Sequence, residues 1–123
     1  MIEIDFASPV AIYDQIKTGV RGMIAKGLLR PGDKVPSIRA LAVRLSVNPN
    51  TVARAVRELT AEGVLESQRG ESNYVSEKAL LRAKESVEAL RKEFAEALKL
   101  ARRGGLGWQD IESVIIKEKG RDK

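Results

Sequence analysis

Residues Lys34 to Leu65 read KVPSIRALAVRLSVNPNTVARAVRELTAEGVL, and this stretch decides the fold. Two short helical patterns lie either side of a tight break at Leu45-Ser46-Val47-Asn48. Ser37 is placed to N-cap the first helix, its side-chain oxygen taking a backbone N–H that the helix leaves unpaired. Asn48 is placed to cap the second, with Pro49 at the first helical position, where a missing N–H costs nothing. Ile38, Leu41, Ala42 and Leu45 share one side of the first helix, and Val52, Val56 and Leu59 one side of the second. Two amphipathic helices joined so tightly predict a helix-turn-helix.

The far side of the second helix shows a chemistry. About 100° per residue from Val52, the opposite face carries Asn50, Arg54 and Arg57. An asparagine amide can pair two-pronged with adenine and an arginine guanidinium with guanine, so these side chains suit reading bases in a major groove. Between Lys34 and Arg57 there are five basic residues (Lys34, Arg39, Arg44, Arg54, Arg57) and no acidic one. That local surplus equals the formal net charge of +5, so the rest of the chain is balanced. An acid-free basic window on a helix-turn-helix predicts a nucleic-acid partner.

Length and composition set the limits. The 123 residues allow one compact domain and an appendage. Hydrophobic residues make up 43% and aromatics only 4%, so aliphatic side chains must build the core. There is no cysteine, hence no disulfide or thiolate metal site, and no histidine, the commonest general base and transition-metal ligand. Carboxylates mostly alternate with Lys or Arg on helix faces, as in Glu88 and Lys92, and no glycine-rich loop cradles a phosphate. The expectation is a protein with no catalytic residues, no metal and no cofactor. No apolar run approaches the roughly 20 residues of a membrane span, and the opening MIEIDFASPV does not read as a signal peptide. A cytoplasmic protein without membrane contact is expected.

In chain order, Ile2 to Phe6 alternate apolar and acidic, which predicts a short strand or an extended arm packed on the body. Ser8-Pro9 has the cap-then-proline form of a helix start. Ile12, Ile16, Val20 and Ile24 then recur every fourth residue within a bracing helix from Val10 to Lys26, flanked by Tyr13 and Met23 and ended by Gly27. Pro31-Gly32 predicts a tight turn in the connector that follows. After the helix-turn-helix, Gly63 suits a left-handed C-cap. Val64 to Val75 has apolar ends around a polar, glycine-containing middle, which predicts a two-stranded hairpin and so a wing. Arg69 at its tip suits a minor groove, although Glu71 beside it would repel phosphate.

These residues carry a resemblance. Ile12-Tyr13-Asp14-Gln15-Ile16, the run from Leu29 to Ala42 with its Pro31-Gly32-Asp33 and Pro36-Ser37-Ile38-Arg39 segments, and Val47-Asn48-Pro49-Asn50-Thr51-Val52 through Leu65 resemble the DNA-binding domain of GntR-family transcriptional regulators. The match covers about residues 9 to 76. The resemblance implies that Arg39, Asn50, Thr51 and Arg54 lie at the DNA, with Arg69 and Gly70 in the wing. The family's wing usually reads Arg-Gly-x-Gly-Thr-Phe/Tyr-Val; here Ser72 stands for the second glycine and Asn73 for the threonine.

Beyond the wing, Leu80, Ala83, Val87, Leu90, Phe94, Ala97 and Ala101 are spaced alternately by three and four. That is a heptad seam on a helix from Glu77 to Arg103, which at 1.5 Å per residue would run about 40 Å. Gly104-Gly105-Leu106-Gly107 breaks it. A last helix from about Trp108 to Lys119 carries Ile111, Val114 and Ile115 on one face, and Gly120 to Lys123 is expected to fray. So small a body cannot cover the whole stripe, which predicts a partner, the alternative being an intramolecular brace. A short helical C-terminal part resembles the YtrA-type subfamily, and the resemblance implies a dimerisation element.

The expected architecture is mainly α with a small β-hairpin: a winged helix-turn-helix domain over residues 1–76, then a two-helix dimerisation hairpin over residues 77–123. The expected function is a sequence-specific DNA-binding transcriptional regulator, a homodimeric repressor on an inverted-repeat operator of double-stranded DNA. Lys34, Ser37 and Arg44 would position the backbone, Arg39, Asn50 and Arg54 read bases, and Asn48, Thr51 and Arg57 complete the interface. The competing reading is a winged-helix module for protein contacts or non-specific DNA binding. A small-molecule effector is left open, because no polar constellation names one.

Overall fold

The aliphatic row on the first helix forms part of the buried core. In the computed structural model, which describes residues 2–68 and 72–121, helix α1 spans Ile12–Ala25 and buries Ile16, Val20 and Ile24. It begins at Ile12 rather than Val10, and Ser8-Pro9 does not cap it. The Ser8 hydroxyl instead accepts from Val10 N–H at 3.1 Å. The Gln15 amide donates to the carbonyls of Asp5 and Val10 and accepts from Asp5 N–H at 2.8 Å. These local bonds satisfy the backbone as a turn and compete with another helical turn. Of the two forms open to Ile2–Phe6, the arm is the one adopted: Ile2 and Ile4 pack on the core without strand pairing. A Cβ on Gly19 of α1 would fall 2.9 Å from the Ile2 side chain, so a larger residue there would push the arm aside.

The connector turns at Pro31-Gly32. Gly32 has φ +89°, and Asp33 N–H closes the turn on Arg30 O at 3.0 Å. It leads into β1, Lys34–Val35, a strand the sequence did not predict. With β2 (Leu65–Gln68) and β3 (Ser72–Val75) it forms a three-stranded antiparallel sheet in the order β1-β3-β2, where a two-stranded hairpin was expected. Lys34 pairs with Tyr74 and Val35 with Asn73. Gly32 N–H to Val75 O at 2.8 Å and Val75 N–H to Asp33 O at 2.9 Å continue the pairing. The connector thus satisfies the edge of β3, which would otherwise be left with unpaired backbone groups.

Helices α2 (Ile38–Leu45) and α3 (Pro49–Ala61) form the predicted pair. Leu41 and Ala42 of α2 and Val52, Ala55, Val56 and Leu59 of α3 are buried, with Ile38 and Leu45 half-buried beside them. Helix α3 packs against α1, α2 and β2 and so sits at the centre. It ends at Gly63, with φ +79°.

The chain forms two compact units, Met1–Val87 and Glu88–Lys123. Helix α4, Ala79–Arg103, begins in the first, where Ala79 and Ala83 are fully buried. Ala83 is therefore a core residue of that unit and not a member of an exposed dimerisation seam; it lies on the stripe only because heptad and core periods coincide there. In the second unit α4 turns through Gly105, φ +111°, into α5, Trp108–Arg121. Asp110 accepts from Gly107 N–H at 2.9 Å, half of a capping box. Ile111 is buried against α4, whereas Val114, Ile115, Leu90 and Phe94 remain exposed. Gly120 and Arg121, expected to fray, continue α5. Among the described residues no helix is long and apolar enough to cross a membrane.

Candidate nucleic-acid interface

The turn between α2 and α3 is built by local chemistry at both ends. Ser37 accepts from Ala40 N–H at 3.1 Å and so caps α2. At its other end Ser46 adopts the left-handed region, φ 55° and ψ 47°, and Val47 N–H returns to Ala42 O at 3.0 Å. Asn48 then accepts from Asn50 N–H at 2.8 Å, and Pro49 occupies the first turn of α3. Both helix ends are satisfied within the turn, which fixes the direction in which α3 leaves the body.

The structure brings most of the sequence-predicted residues onto the surface around this turn. Lys34, Ser37, Arg39, Arg44, Asn48, Asn50, Arg54 and Arg57 are exposed and Thr51 is half-buried. Two clefts flank the start of α2, with Ser37 on both. One, of about 790 Å³, is lined by Arg39, Arg57, Thr60, Ser67 and Asn73 among others. The other, of about 540 Å³, is lined by Lys34, Arg44 and Ser72 among others. Neither has a carboxylate in its lining among the described residues. Among the described residues Lys34, Arg39, Arg44 and Arg57 form no ion pair. Their charges are therefore available to an external anion.

Arg69, Gly70 and Glu71 lie outside the described residues. The strands that lead to them pair Gln68 with Ser72 and Ser67 with Asn73. Ser72 and Asn73, the two departures from the usual wing pattern, alternate along β3, one on the Lys34–Arg44 cleft and the other on the Arg39–Arg57 groove.

Arg54 is arranged differently from the other basic residues. Its guanidinium carbon lies 3.7 Å from the centre of the Tyr13 ring, and its Nε donates to Glu58 Oε2 at 3.1 Å. Glu58 Oε1 in turn accepts from Lys17 Nζ at 2.8 Å, and Lys17 also pairs with Glu62 at 2.6 Å. Arg21 completes the row on Glu62. Positive and negative groups alternate from Arg54 to Arg21 across the α1–α3 contact. Burial alone would depress the Lys17 ammonium, but its hydrogen bonds to Glu58 and Glu62 outweigh burial and raise its pKa above the ordinary lysine value. Glu58 is held below the ordinary carboxylate value, first by the Lys17 hydrogen bond and then by Arg54. Burial pushes Glu62 upward, yet Lys17 and Arg21 together bring it below that value. Tyr13, Lys17 and Glu58 were not among the predicted site residues. The Arg54–Glu58 spacing of four was visible on α3; the partners on α1 required the packed helices.

Comparison with known proteins agrees with this geometry. Residues 12–75 match the profile of the gntR family of bacterial regulatory proteins. The HTH-type transcriptional repressor YtrA of Bacillus subtilis is 47% identical over 79 residues, 64% of this chain and 61% of that protein. The chain thus spans about three-fifths of the length of this and other curated relatives that it matches. Among solved structures, YtrA from Sulfolobus acidocaldarius, described as a GntR-family transcription factor, is 41% identical with a TM-score of 0.61 over 80% of this chain and 97% of that one. The AraR DNA-binding domain in complex with an operator is 26% identical, with a TM-score of 0.53 over 61% of this chain and 96% of that one.

Proposed function

The chain belongs to the gntR family of bacterial regulatory proteins, and from that premise we propose that it is a sequence-specific DNA-binding transcriptional regulator acting as a homodimeric repressor on an inverted-repeat operator. The observation that carries this reading is the pair of basic clefts, lined by no carboxylate among the described residues, that flank a doubly capped helix-turn-helix. In it α3 enters the major groove. Arg39, Asn50 and Arg54 read bases, Thr51 and Arg57 border them, and Lys34, Ser37 and Arg44 hold phosphates. Asn48 sets the angle of entry. By family resemblance, Arg69 and Gly70 are assigned to a wing contact with the DNA. A cytoplasmic location belongs to the same reading.

The homodimer is supported by the second unit. Leu90, Phe94, Leu100, Trp108, Val114, Ile115 and Ile116 are exposed there, apolar side chains that a second copy would cover. Residues 1–76 would carry the DNA contacts and residues 77–123 the pairing, with the first turns of α4 joining them. A two-fold dimer places one α3 in each of two half-sites about one helical turn, or a multiple of it, apart.

The test is fluorescence anisotropy with the duplex upstream of the chain's own gene against a shuffled duplex, at two salt concentrations. Specific recognition predicts a preference of about a thousandfold or more that survives the higher salt. Equal affinities that collapse together with salt would leave phosphate contacts only and make this a non-specific DNA-binding module.

A further inference from the structure

We propose that Tyr13 and Glu58 are positioning residues that hold Arg54 as a pre-oriented reader of guanine. The proposal rests on the DNA-binding reading above and deepens it, because it assigns a base and a cause for its selection.

Two rows of residues face each other with the same spacing. Tyr13, Lys17 and Arg21 follow one another every fourth residue on α1, and Arg54, Glu58 and Glu62 do so along α3 and its cap. At one end the Arg54 guanidinium lies over the Tyr13 ring at 3.7 Å. The ring's negative face attracts the cation and occupies one of its two faces. The Glu58 carboxylate takes Arg54 Nε at 3.1 Å. What remains is the Nη edge, which makes no hydrogen bond among the described residues.

That remaining edge decides the ligand. An arginine that has committed Nε cannot use its Nε–Nη side to grip a base. It can only present its two Nη groups end-on, and two parallel donors match the O6 and N7 acceptors of guanine in the major groove. Adenine offers a donor where guanine offers O6, so the same fork is mismatched there. Glu58 itself could accept from cytosine, but its two oxygens are divided between Lys17 and Arg54.

The clamp is anchored in the body. The Lys17 side chain, which fixes Glu58, is only 9% exposed, whereas that of Arg54 is 52% exposed. A free arginine would lose rotamer freedom on meeting the base; one held by a ring and a carboxylate has lost it already. Holding the fork also prevents it from swinging to a neighbouring phosphate, which would give affinity without selection.

The experiment measures affinity of the full chain for its operator and for single-base variants of that operator, with R54A, Y13L, Y13F and E58Q. R54A locates the base pair whose identity Arg54 reads, through a loss of discrimination of about tenfold or more there. At that same pair Y13L and E58Q are expected to reduce discrimination for guanine about threefold to tenfold, while discrimination elsewhere stays as in the parent. Y13F keeps the ring and should retain the parent's preference. In the R54A background Y13L should change nothing further. If R54A abolishes discrimination at one pair but neither Y13L nor E58Q alters it there, the positioning role is overturned while base reading by Arg54 stands. Were R54A to discriminate like the parent at every pair, base reading and this proposal would both fall. Loss of the effect in a Y13L chain that unfolds is separated by circular dichroism, and E58Q then decides the outcome alone.

Discussion

Lys17 and Glu58 meet at 2.8 Å across the contact between α1 and α3, and the lysine side chain is almost wholly enclosed. This pair ties the helix that braces the body to the helix that carries the residues proposed to face DNA. A buried ammonium is tolerated only because two carboxylates accept from it.

The pair makes stability depend on pH in a definite direction. Glu58 and Glu62 have pKa values in the folded chain below their ordinary ones. Their contribution is present above the ordinary carboxylate value, about 4.3, and is lost as pH falls through the folded values. Lys17 is raised, so its contribution is whole below about 10.4 and is lost as pH rises through its folded value. Urea unfolding of Lys17→Met should show a deficit against the parent at pH 7 that shrinks towards pH 3. A deficit that stayed constant over that range would mean that Lys17 acts through packing alone.

Ser46 is the one non-glycine residue with positive φ among those described. Ser46→Gly should stabilise the chain by about 0.5–1 kcal/mol, since relief of left-handed strain exceeds the added freedom of the unfolded chain. Ser46→Val should destabilise it by at least as much. Thermal unfolding midpoints that moved the other way would show that the serine hydroxyl, and not the backbone, governs this turn.

Leu90 is 51% exposed and does not line the apolar gap between α4 and α5. Leu90→Glu should therefore leave the hairpin folded while placing charge in the proposed dimer contact. Sedimentation at micromolar concentration should show a dimer for the parent and a monomer for the variant, with unchanged helicity. A parent that sediments as a monomer would remove the homodimer, and with it the inverted-repeat operator.

Lys34 and Arg44 border the same cleft, which no carboxylate lines among the described residues. Replacing either by alanine should weaken binding to all duplexes alike and reduce the slope of log affinity against log salt by about 1. A change confined to one base pair would instead make that residue a reader of sequence.

Much of this architecture could be read locally. The caps at Ser37 and Asn48, the proline after the second, the turn at Gly32 and the end at Gly63 each depend on the chemistry of a few adjacent residues. The apolar rows on α1, α2 and α3 follow from helical period. The same local logic misled at Ser8-Pro9, where a turn held by Gln15 took the place of a cap, and at Ala83, which the stripe could not distinguish from an exposed seam residue.

What the chain by itself determined was the order of its helices, the turn between α2 and α3, and the basic character of the surface around it, because period and capping act over one or two helical turns. Tertiary structure decided the rest. Strand β1 exists because the edge of β3, some 40 residues further on, offers it hydrogen bonds. The clamp on Arg54 exists because α1 brings Tyr13 and Lys17 to residues 41 positions away. Neither pairing has a local period, so packing alone turned an exposed arginine into an oriented one.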